Sequence, residues 1–270
     1  YFLPWTEVML AELHRLFPHN LSLQSLGSFD TAGVRDLYRR HSLLPNNDVA
    51  QVHRYLDLGA RLEVCHSPMD VLAAESVREL IAFQPDRPII LAESGAVEPS
   101  HSGPFKLYAK DKEGMLLHDV LFAPFFAGAA GAGQIWHWDS YVDRNHLWHH
   151  FGRFAAAVKD IDPAAEAFQP MMLEHPRLRV YALKGKRTVL LWCRDSQNTW
   201  KTELEQGQPP ETLANLSLNL KPLNTPLTAS ASARLYDPWQ NRWSDAKLAD
   251  GGLPLPAFAR SLVVQLTADR

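Results

Sequence analysis

Cysteine is scarce in this sequence: its 270 residues contain only Cys65 and Cys193. Two cysteines that lie so far apart do not make a disulfide framework or a zinc site, so we expect two free, buried thiols. Basic residues are not concentrated in any stripe, and the formal net charge is -3. The charge pattern therefore gives no reason to expect nucleic acid as a partner.

Several common catalytic motifs are missing as well. The chain has no HExxH, CxxC or GxSxG pattern and no glycine-rich phosphate loop. These absences argue against the commonest metalloproteases, hydrolases with a nucleophile elbow, and nucleotide-binding enzymes.

Long uninterrupted hydrophobic runs are also lacking. The most apolar window, residues 115–132, contains His118, Asp119 and Pro124, which favours a buried helix over a membrane span. The first residues have neither the charged start nor the long apolar core of a signal peptide. The cellular location stays open, and a secreted or periplasmic bacterial protein would carry its export signal upstream of Tyr1.

Helical and strand patterns alternate up to about residue 168. Helices are predicted at residues 5–17, 33–41, 70–83 (capped by Asp70), 114–130 and 146–161, and strands at 21–27, 48–57, 88–93 and 131–139. This alternation predicts a parallel α/β architecture for residues 1–168. Residues 169–270 show short alternating or apolar runs, at 177–193, 213–220, 229–236 and 259–266, between Gly, Pro and Asn clusters. These runs predict the strands of an antiparallel β-sandwich.

The strand that begins at Pro88 is the most informative stretch. Its apolar run has the length and composition of a strand buried on both faces, and it stops at Glu93. With a period of two, Ile89, Leu91 and Glu93 share one face. Because a buried carboxylate is costly, Glu93 indicates a site at the carboxyl edge of a sheet or barrel. A strand-end Glu that reaches solvent or an arginine explains the pattern equally well.

Other strand ends carry side chains that suit a carbohydrate. His53 and Tyr55 share one face of the second strand, and Trp136 and Trp138 share one face of the fourth, with His137 and Asp139 beside them. Indole faces stack on the apolar faces of sugar rings, while the polar groups bind hydroxyls. Alternatively, the His–Tyr pair consists of polar groups at a strand edge, and at least one of the two tryptophans belongs to the core.

At these positions the chain resembles a clan A glycoside hydrolase, closest in texture to the cellulase-like enzymes of family 5. The resemblance is carried by Val52-His-Arg-Tyr, Ile89-Ile-Leu-Ala-Glu-Ser-Gly and the segment 127–139. These stretches look like the ends of strands six, seven and eight of that family's barrel. The implied fold class is α/β: the C-terminal part of a TIM (β/α)8 barrel over residues 1–168, followed by an antiparallel β-sandwich over residues 169–270.

The resemblance also implies roles for individual residues. Glu93 matches the catalytic nucleophile, and the substrate-binding residues are His53, Tyr55, Trp136, Trp138 and Asp139. The implied reaction is hydrolysis of a β-linked oligo- or polysaccharide with retention of configuration: Glu93 attacks the anomeric carbon, and a second carboxyl group protonates the leaving oxygen. No cofactor and no metal take part.

One departure from the family pattern concerns the acid/base. In this clan it is the Glu of an Asn-Glu pair at the end of strand four, and the chain contains no Asn-Glu dipeptide. We therefore expect the chain to start after the acid/base, with the N-terminal half of the barrel in the same polypeptide or in another chain. Asp139, Asp143 and Glu98 are weaker candidates for the second carboxylate. The alternatives are a non-catalytic carbohydrate-binding protein and a structural α/β domain.

Overall fold

The computed structural model describes residues 3–224, 232–248 and 252–267. The chain divides into two compact units, residues 1–147 and 148–270. It is a mixed α/β protein, and its second unit contains a large sheet of antiparallel strands. The helix predicted at residues 146–161 therefore groups with the second unit. The partial barrel, the β-sandwich and the domain boundary after residue 168 stay predictions.

The described part of the first unit contains helices joined to a pair of parallel strands. Its α-helices are α1 (Leu3–Leu16), α2 (Arg35–Ser42), α3 (Met69–Ile81) and α4 (Met115–Phe126), and its strands are β1 (Ala50–Asp57) and β2 (Ile89–Val97). The strands pair in parallel, and α3 connects them and packs on both. This is the β-α-β unit that the alternating pattern predicts. Helix α4 is buried at every position, which explains why it is apolar all round.

Three details of this unit differ from the sequence-based expectations. Asp70 does not cap α3, because the N-cap is Pro68 and Asp70 lies in the first turn of the helix. Strand β2 does not end at Glu93 but continues to Val97. Ile89, Leu91 and Glu93 do not share one face, for a reason described with the site below.

Two of the predicted strands are irregular instead. Along residues 21–27 the alternating pattern is present, but side chains take up the backbone donors: Ser22 N–H donates to Asp48 and Gln24 N–H donates to Asn47. Residues 131–139 form one isolated parallel bridge, between Ser94 and Ile135, before a π-helical turn at Trp138–Asp143. Alternating sequence alone therefore does not produce a ladder where side chains satisfy the backbone.

The second unit begins with two helices, α5 (His149–Ala157) and α6 (Pro163–Glu166). Its strands are β3 (Gln169–Leu173), β4 (Leu178–Lys184), β5 (Thr188–Asp195), β6 (Thr212–Leu213), β7 (Ser217–Asn219), β8 (Ser232–Asp237), β9 (Arg242–Ala246), β10 (Gly252–Pro254), β11 (Phe258–Ala259) and β12 (Ser261–Thr267). Six of them form an antiparallel sheet in the order β3-β4-β5-β12-β8-β9, while β10 pairs with β7 and β11 with β6.

One apolar cluster joins the large sheet to the short strands of this unit. It contains Val180, Leu191 and Val264 from the large sheet, together with Leu218 and Phe258 from the short pairs, all buried. The predicted strand at residues 229–236 is β8 from residue 232 onward, and its first residues lie outside the described part of the chain. Over the described residues, the helices are too short or too polar to cross a membrane.

Candidate active site

Strand β2 carries a β-bulge that determines where Glu93 points. Val52 of β1 pairs with Leu91, but the next residue, His53, pairs with Glu93, so Ala92 is the extra residue of the bulge. Because successive residues of β1 point to opposite faces, Leu91 and Glu93 lie on opposite faces too. Leu91 is fully buried, whereas the side chain of Glu93 is 29% exposed. The bulge thus turns the carboxylate to the face that carries His53.

The carboxylate of Glu93 has two side-chain contacts, and both fall on Oε2. The Tyr55 hydroxyl donates a hydrogen bond to it at 2.7 Å, and Nδ1 of His53 lies 3.1 Å from it. The spacing of two between His53 and Tyr55 places both on this face, as the sequence predicts. The structure therefore brings together these three predicted site residues on two adjacent parallel strands.

Burial sets the protonation of both neighbours of Glu93. Burial raises the pKa of Tyr55 well above its usual value, and the hydrogen bond to Glu93 adds to the rise. Burial lowers the pKa of His53, although the negative charge of Glu93 acts in the opposite direction. At neutral pH the phenol is therefore a permanent donor and the imidazole is uncharged. Glu93 consequently keeps a hydrogen-bond partner without being neutralised by an imidazolium.

A further layer holds His53 in place. Ser25 Oγ lies 3.3 Å from His53 Nε2, and the backbone N–H of His53 donates to the Tyr38 hydroxyl at 3.3 Å. The Tyr38 hydroxyl in turn donates to the carbonyl of Gly27. The sequence gives no signal for Ser25 or Tyr38, because neither belongs to a strand end or to a recognisable motif. Ser25 reaches the site from the irregular segment at residues 21–27, and Tyr38 reaches it from α2.

Gly95 is required by its surroundings. Its φ is +131°, and an added Cβ would come within 2.7 Å of the Tyr108 hydroxyl and 3.1 Å of Ile135. The same hydroxyl accepts the backbone N–H of Ala96 at 2.6 Å. Residue 95 lies two positions after the candidate nucleophile. A side chain there would strain the backbone and displace Tyr108.

The two predicted tryptophans lie at the surface. Trp136 is 55% exposed and Trp138 is 58% exposed, so neither is a core aromatic. The backbone N–H of Trp136 donates to the carbonyl of Ser94, the residue after Glu93, at 2.9 Å. Trp138 begins the π-helical turn. Their availability to a ligand is consistent with sugar stacking, and the stacking itself stays a prediction.

The other carboxylates predicted for the site, Asp139, Glu98 and Asp143, are described by contacts that do not involve Glu93. Asp139 is exposed, and the backbone N–H of Ser140 lowers its pKa. Glu98 accepts the backbone N–H of Lys106. Asp143 ends the π-helical turn. Within the described ranges, no group of three His, Cys, Asp or Glu side chains could hold a metal ion.

No protein-family model matches the chain, and no curated protein matches it significantly. Its fold is similar to that of a GH30 endoxylanase from Clostridium papyrosolvens C71, with a TM-score of 0.52 and 11% sequence identity over 100% of this chain and 61% of that chain. It is also similar to Xyn30A, a glycoside hydrolase family 30 subfamily 8 xylanase from Clostridium acetobutylicum, with a TM-score of 0.50 and 12% identity over 97% of this chain and 59% of that chain.

The fold of the chain is therefore similar to that of two glycoside hydrolases. It spans about three fifths of the length of these two enzymes, 61% and 59%. At such low identity the likeness shows the fold alone, so membership of family 5 stays a prediction. The roles of Glu93, His53, Tyr55, Trp136, Trp138 and Asp139 also stay predictions.

Proposed function

We propose that this chain carries the nucleophile of a retaining glycoside hydrolase that acts on a β-linked glycan. The observation that supports it best is the partly exposed carboxylate of Glu93, with the Tyr55 hydroxyl at 2.7 Å and His53 Nδ1 at 3.1 Å. In a retaining mechanism a carboxylate attacks the anomeric carbon and forms a covalent glycosyl-enzyme. The arrangement on β1 and β2 supplies such a carboxylate, oriented by its contacts with Tyr55 and His53.

The contacts of Glu93 suggest different roles for its two carboxylate oxygens. Both Tyr55 and His53 contact Oε2, which leaves Oε1 to attack the sugar. A hydroxyl that donates to an ionised carboxylate stabilises it and fixes its rotamer. The glycan would stack on Trp136 and Trp138, and Asp139 would bind hydroxyls at the same edge. Because the two similar structures are named xylanases, β-1,4-xylan is the first substrate to test.

The second carboxyl group of the mechanism is proposed to come from the other half of the barrel. In retaining enzymes the two carboxyl groups stand about 5–5.5 Å apart. The contacts of Glu98 and Asp139 described above do not involve Glu93, although both stay weaker candidates, as does Asp143. The missing half, in the same polypeptide or in another chain, would place an Asn-Glu pair at this distance from Glu93.

Helix α1 has exposed apolar side chains that the proposed missing half of the barrel could cover. It exposes large apolar side chains, among them Trp5 at 56%, Val8 at 66% and Leu16 at 52%. Their spacing places these three side chains on one face of the helix, and exposed apolar surface of this kind favours an interaction site. A barrel half that packs on α1 would cover it.

The test of this function is the Glu93→Gln variant in the polypeptide that hydrolyses the glycan. The amide keeps the shape and the acceptor oxygen for Tyr55 but cannot attack, so hydrolysis should be abolished while binding of a xylo-oligosaccharide stays within about threefold. Glu63→Gln, which changes a carboxylate of the first unit that is 95% exposed, is the matched control and should retain activity. Turnover by Glu93→Gln would contradict the nucleophile assignment.

A non-catalytic carbohydrate-binding protein is the second candidate, and the exposure of Trp136 and Trp138 favours it. In that function Glu93 would only accept hydrogen bonds from sugar hydroxyls. Binding without hydrolysis by the polypeptide that contains the whole barrel, before any substitution is made, would identify this alternative.

A further inference from the structure

Next to Tyr55, three polar side chains form a second hydrogen-bonded chain that glycoside hydrolysis does not require. Ser28 Oγ lies 2.9 Å from His101 Nε2, and His101 Nδ1 lies 3.0 Å from Asp57 Oδ2. The three come from separate parts of the first unit: the irregular segment before α2, the turn at Pro99–His101 and the last residue of β1. The order of contacts is hydroxyl, imidazole, carboxylate.

Asp57 is held rigidly at the far end of this chain. Its side chain is 2% exposed, and Oδ1 accepts the backbone N–H groups of Gly59 at 2.7 Å and Ser100 at 3.1 Å. A Cβ added at Gly59 would come within 2.7 Å of the Ser100 nitrogen, so the two turns pack closely around the carboxylate. With Oδ1 fixed in this way, Oδ2 faces the imidazole and orients it. Burying a carboxylate without hydrogen bonds is costly, and these contacts offset that cost.

The serine end of this hydrogen-bonded series is open to solvent. The side chain of His101 is 34% exposed, and Ser28 is partly exposed. A Cβ added at the preceding residue, Gly27, would meet no atom within 4 Å, so there is space beside the serine. Ser100 and His101 both have left-handed backbone, with φ of 62° and 58°. Such conformations cost energy in residues with side chains and cluster at functional sites.

We propose that Ser28, His101 and Asp57 form a nucleophile–base–acid triad that hydrolyses acyl esters. With its proton on Nδ1 and donated to Asp57, His101 accepts the Ser28 proton at Nε2 while Ser28 Oγ attacks the ester carbonyl. The C–O bond to the alcohol then breaks, and His101 returns the proton to the alcohol oxygen. Water, deprotonated by His101, attacks the acyl-serine and releases the acid, and the proton restores Ser28.

The position of the triad indicates its substrate class. The His101 ring packs edge-on against Tyr55, with centroids 5.1 Å apart, and the Tyr55 hydroxyl donates to Glu93. An acyl group on a hydroxyl of a glycan bound at Glu93 would therefore lie beside Ser28. This choice of an O-acylated glycan rests on the proposed glycosidase function, whereas the reactivity of the serine does not.

A fluorophosphonate tests the triad directly, because it labels serines that an adjacent base activates. The full chain should gain one adduct, which peptide mapping places on Ser28. Ser28→Ala should lose the adduct, and His101→Gln should slow labelling by about 100-fold or more, the contribution of a general base. Ser102→Ala, an exposed serine next to His101, is the matched control and should label at the wild-type rate. No labelling of Ser28 in a folded protein, or equal labelling of His101→Gln, would overturn the proposal.

Hydrolysis of 4-methylumbelliferyl acetate separates this activity from the proposed glycosidase. Glu93→Gln should retain acetate release while losing glycan hydrolysis, and Ser28→Ala should show the reverse. Acetate release that survives in Ser28→Ala would contradict the triad and leave the Glu93 assignment untouched. Asp57→Asn would alter a buried carboxylate that accepts hydrogen bonds from two turns, so the test uses Ser28→Ala and His101→Gln instead.

Discussion

The hydrogen bond from Tyr55 to Glu93 leads to a quantitative prediction for Tyr55→Phe. The substitution removes one hydroxyl from a side chain that is 4% exposed and leaves the ring in place. The bond it removes is 2.7 Å long and ends on the proposed nucleophile. Its strength should change during the proposed reaction, because an attacking carboxylate is an anion before the attack and a neutral ester in the glycosyl-enzyme.

The magnitude follows from that change of charge. A hydrogen bond to a charged group contributes about 1.5–3 kcal/mol and a neutral one about 0.5–1.5 kcal/mol. When the glycosyl-enzyme breaks down, Glu93 regains its charge, so Tyr55 stabilises that transition state by about 1–1.5 kcal/mol more than it stabilises the ester. Tyr55→Phe should therefore slow deglycosylation by about 5- to 12-fold.

Reactivation kinetics measure this step in isolation. The active polypeptide is trapped with a 2-fluoro glycoside, free reagent is removed, and the return of activity is followed. The matched control is Tyr236→Phe, since Tyr236 is a buried tyrosine of the second unit whose hydroxyl donates to Asn241 at 2.6 Å. It should reactivate at the wild-type rate. An unchanged or faster rate for Tyr55→Phe would refute the proposed action of the hydroxyl on Glu93.

Three further predictions concern the surroundings of Glu93. Trp138→Ala should weaken glycan binding by about 1–3 kcal/mol, the gain from covering an aromatic surface; unchanged affinity in isothermal titration would exclude stacking on Trp138. Gly95→Ala should lower the free energy of unfolding by at least about 2 kcal/mol, because residue 95 has a positive φ and a Cβ there would overpack against Tyr108. The control Gly131→Ala, with open space around the added Cβ, should lower it by less than about 0.5 kcal/mol. Equal urea midpoints for the two variants would contradict this prediction. Burial lowers the pKa of His53 below 6.5, so at this residue the folded protein binds fewer protons than the unfolded chain. The contribution of the neutral His53 to folding stability is therefore complete above pH 6.5 and is lost as the pH falls below it. The stability difference between the wild type and His53→Gln should therefore be larger at pH 7.5 than at pH 5.5, and a difference that grows on acidification would refute the assignment.

Local patterns predicted the parts of the fold that local physics determines. The apolar run at the start of β2 and the helical period of α3 can be read from the sequence because each is a local pattern. The spacing of two between His53 and Tyr55 likewise fixes their common face. The segment at residues 21–27 misled the prediction, because its alternating pattern is real but its backbone bonds to Asp48 and Asn47 side chains.

Non-local features of the site were beyond reach of the sequence. The bulge at Ala92 re-aims Glu93, yet the run Ile-Ile-Leu-Ala-Glu shows no irregularity from which to infer it. Ser28 and His101 are separated by 73 residues, and they meet because a left-handed turn follows β2. Contacts of this kind depend on the tertiary course of loops, which neither periodicity nor a motif encodes.

Covalent trapping with a 2-fluoro glycoside, followed by peptide mapping, tests the role of Glu93 most directly. In the polypeptide that hydrolyses the glycan, the adduct should be a single glycosyl ester on Glu93, and Glu93→Gln should carry none. A glycosyl ester on Asp139, Asp143 or Glu98, or full hydrolysis of the 2-fluoro reagent without any covalent adduct, would contradict the nucleophile assignment.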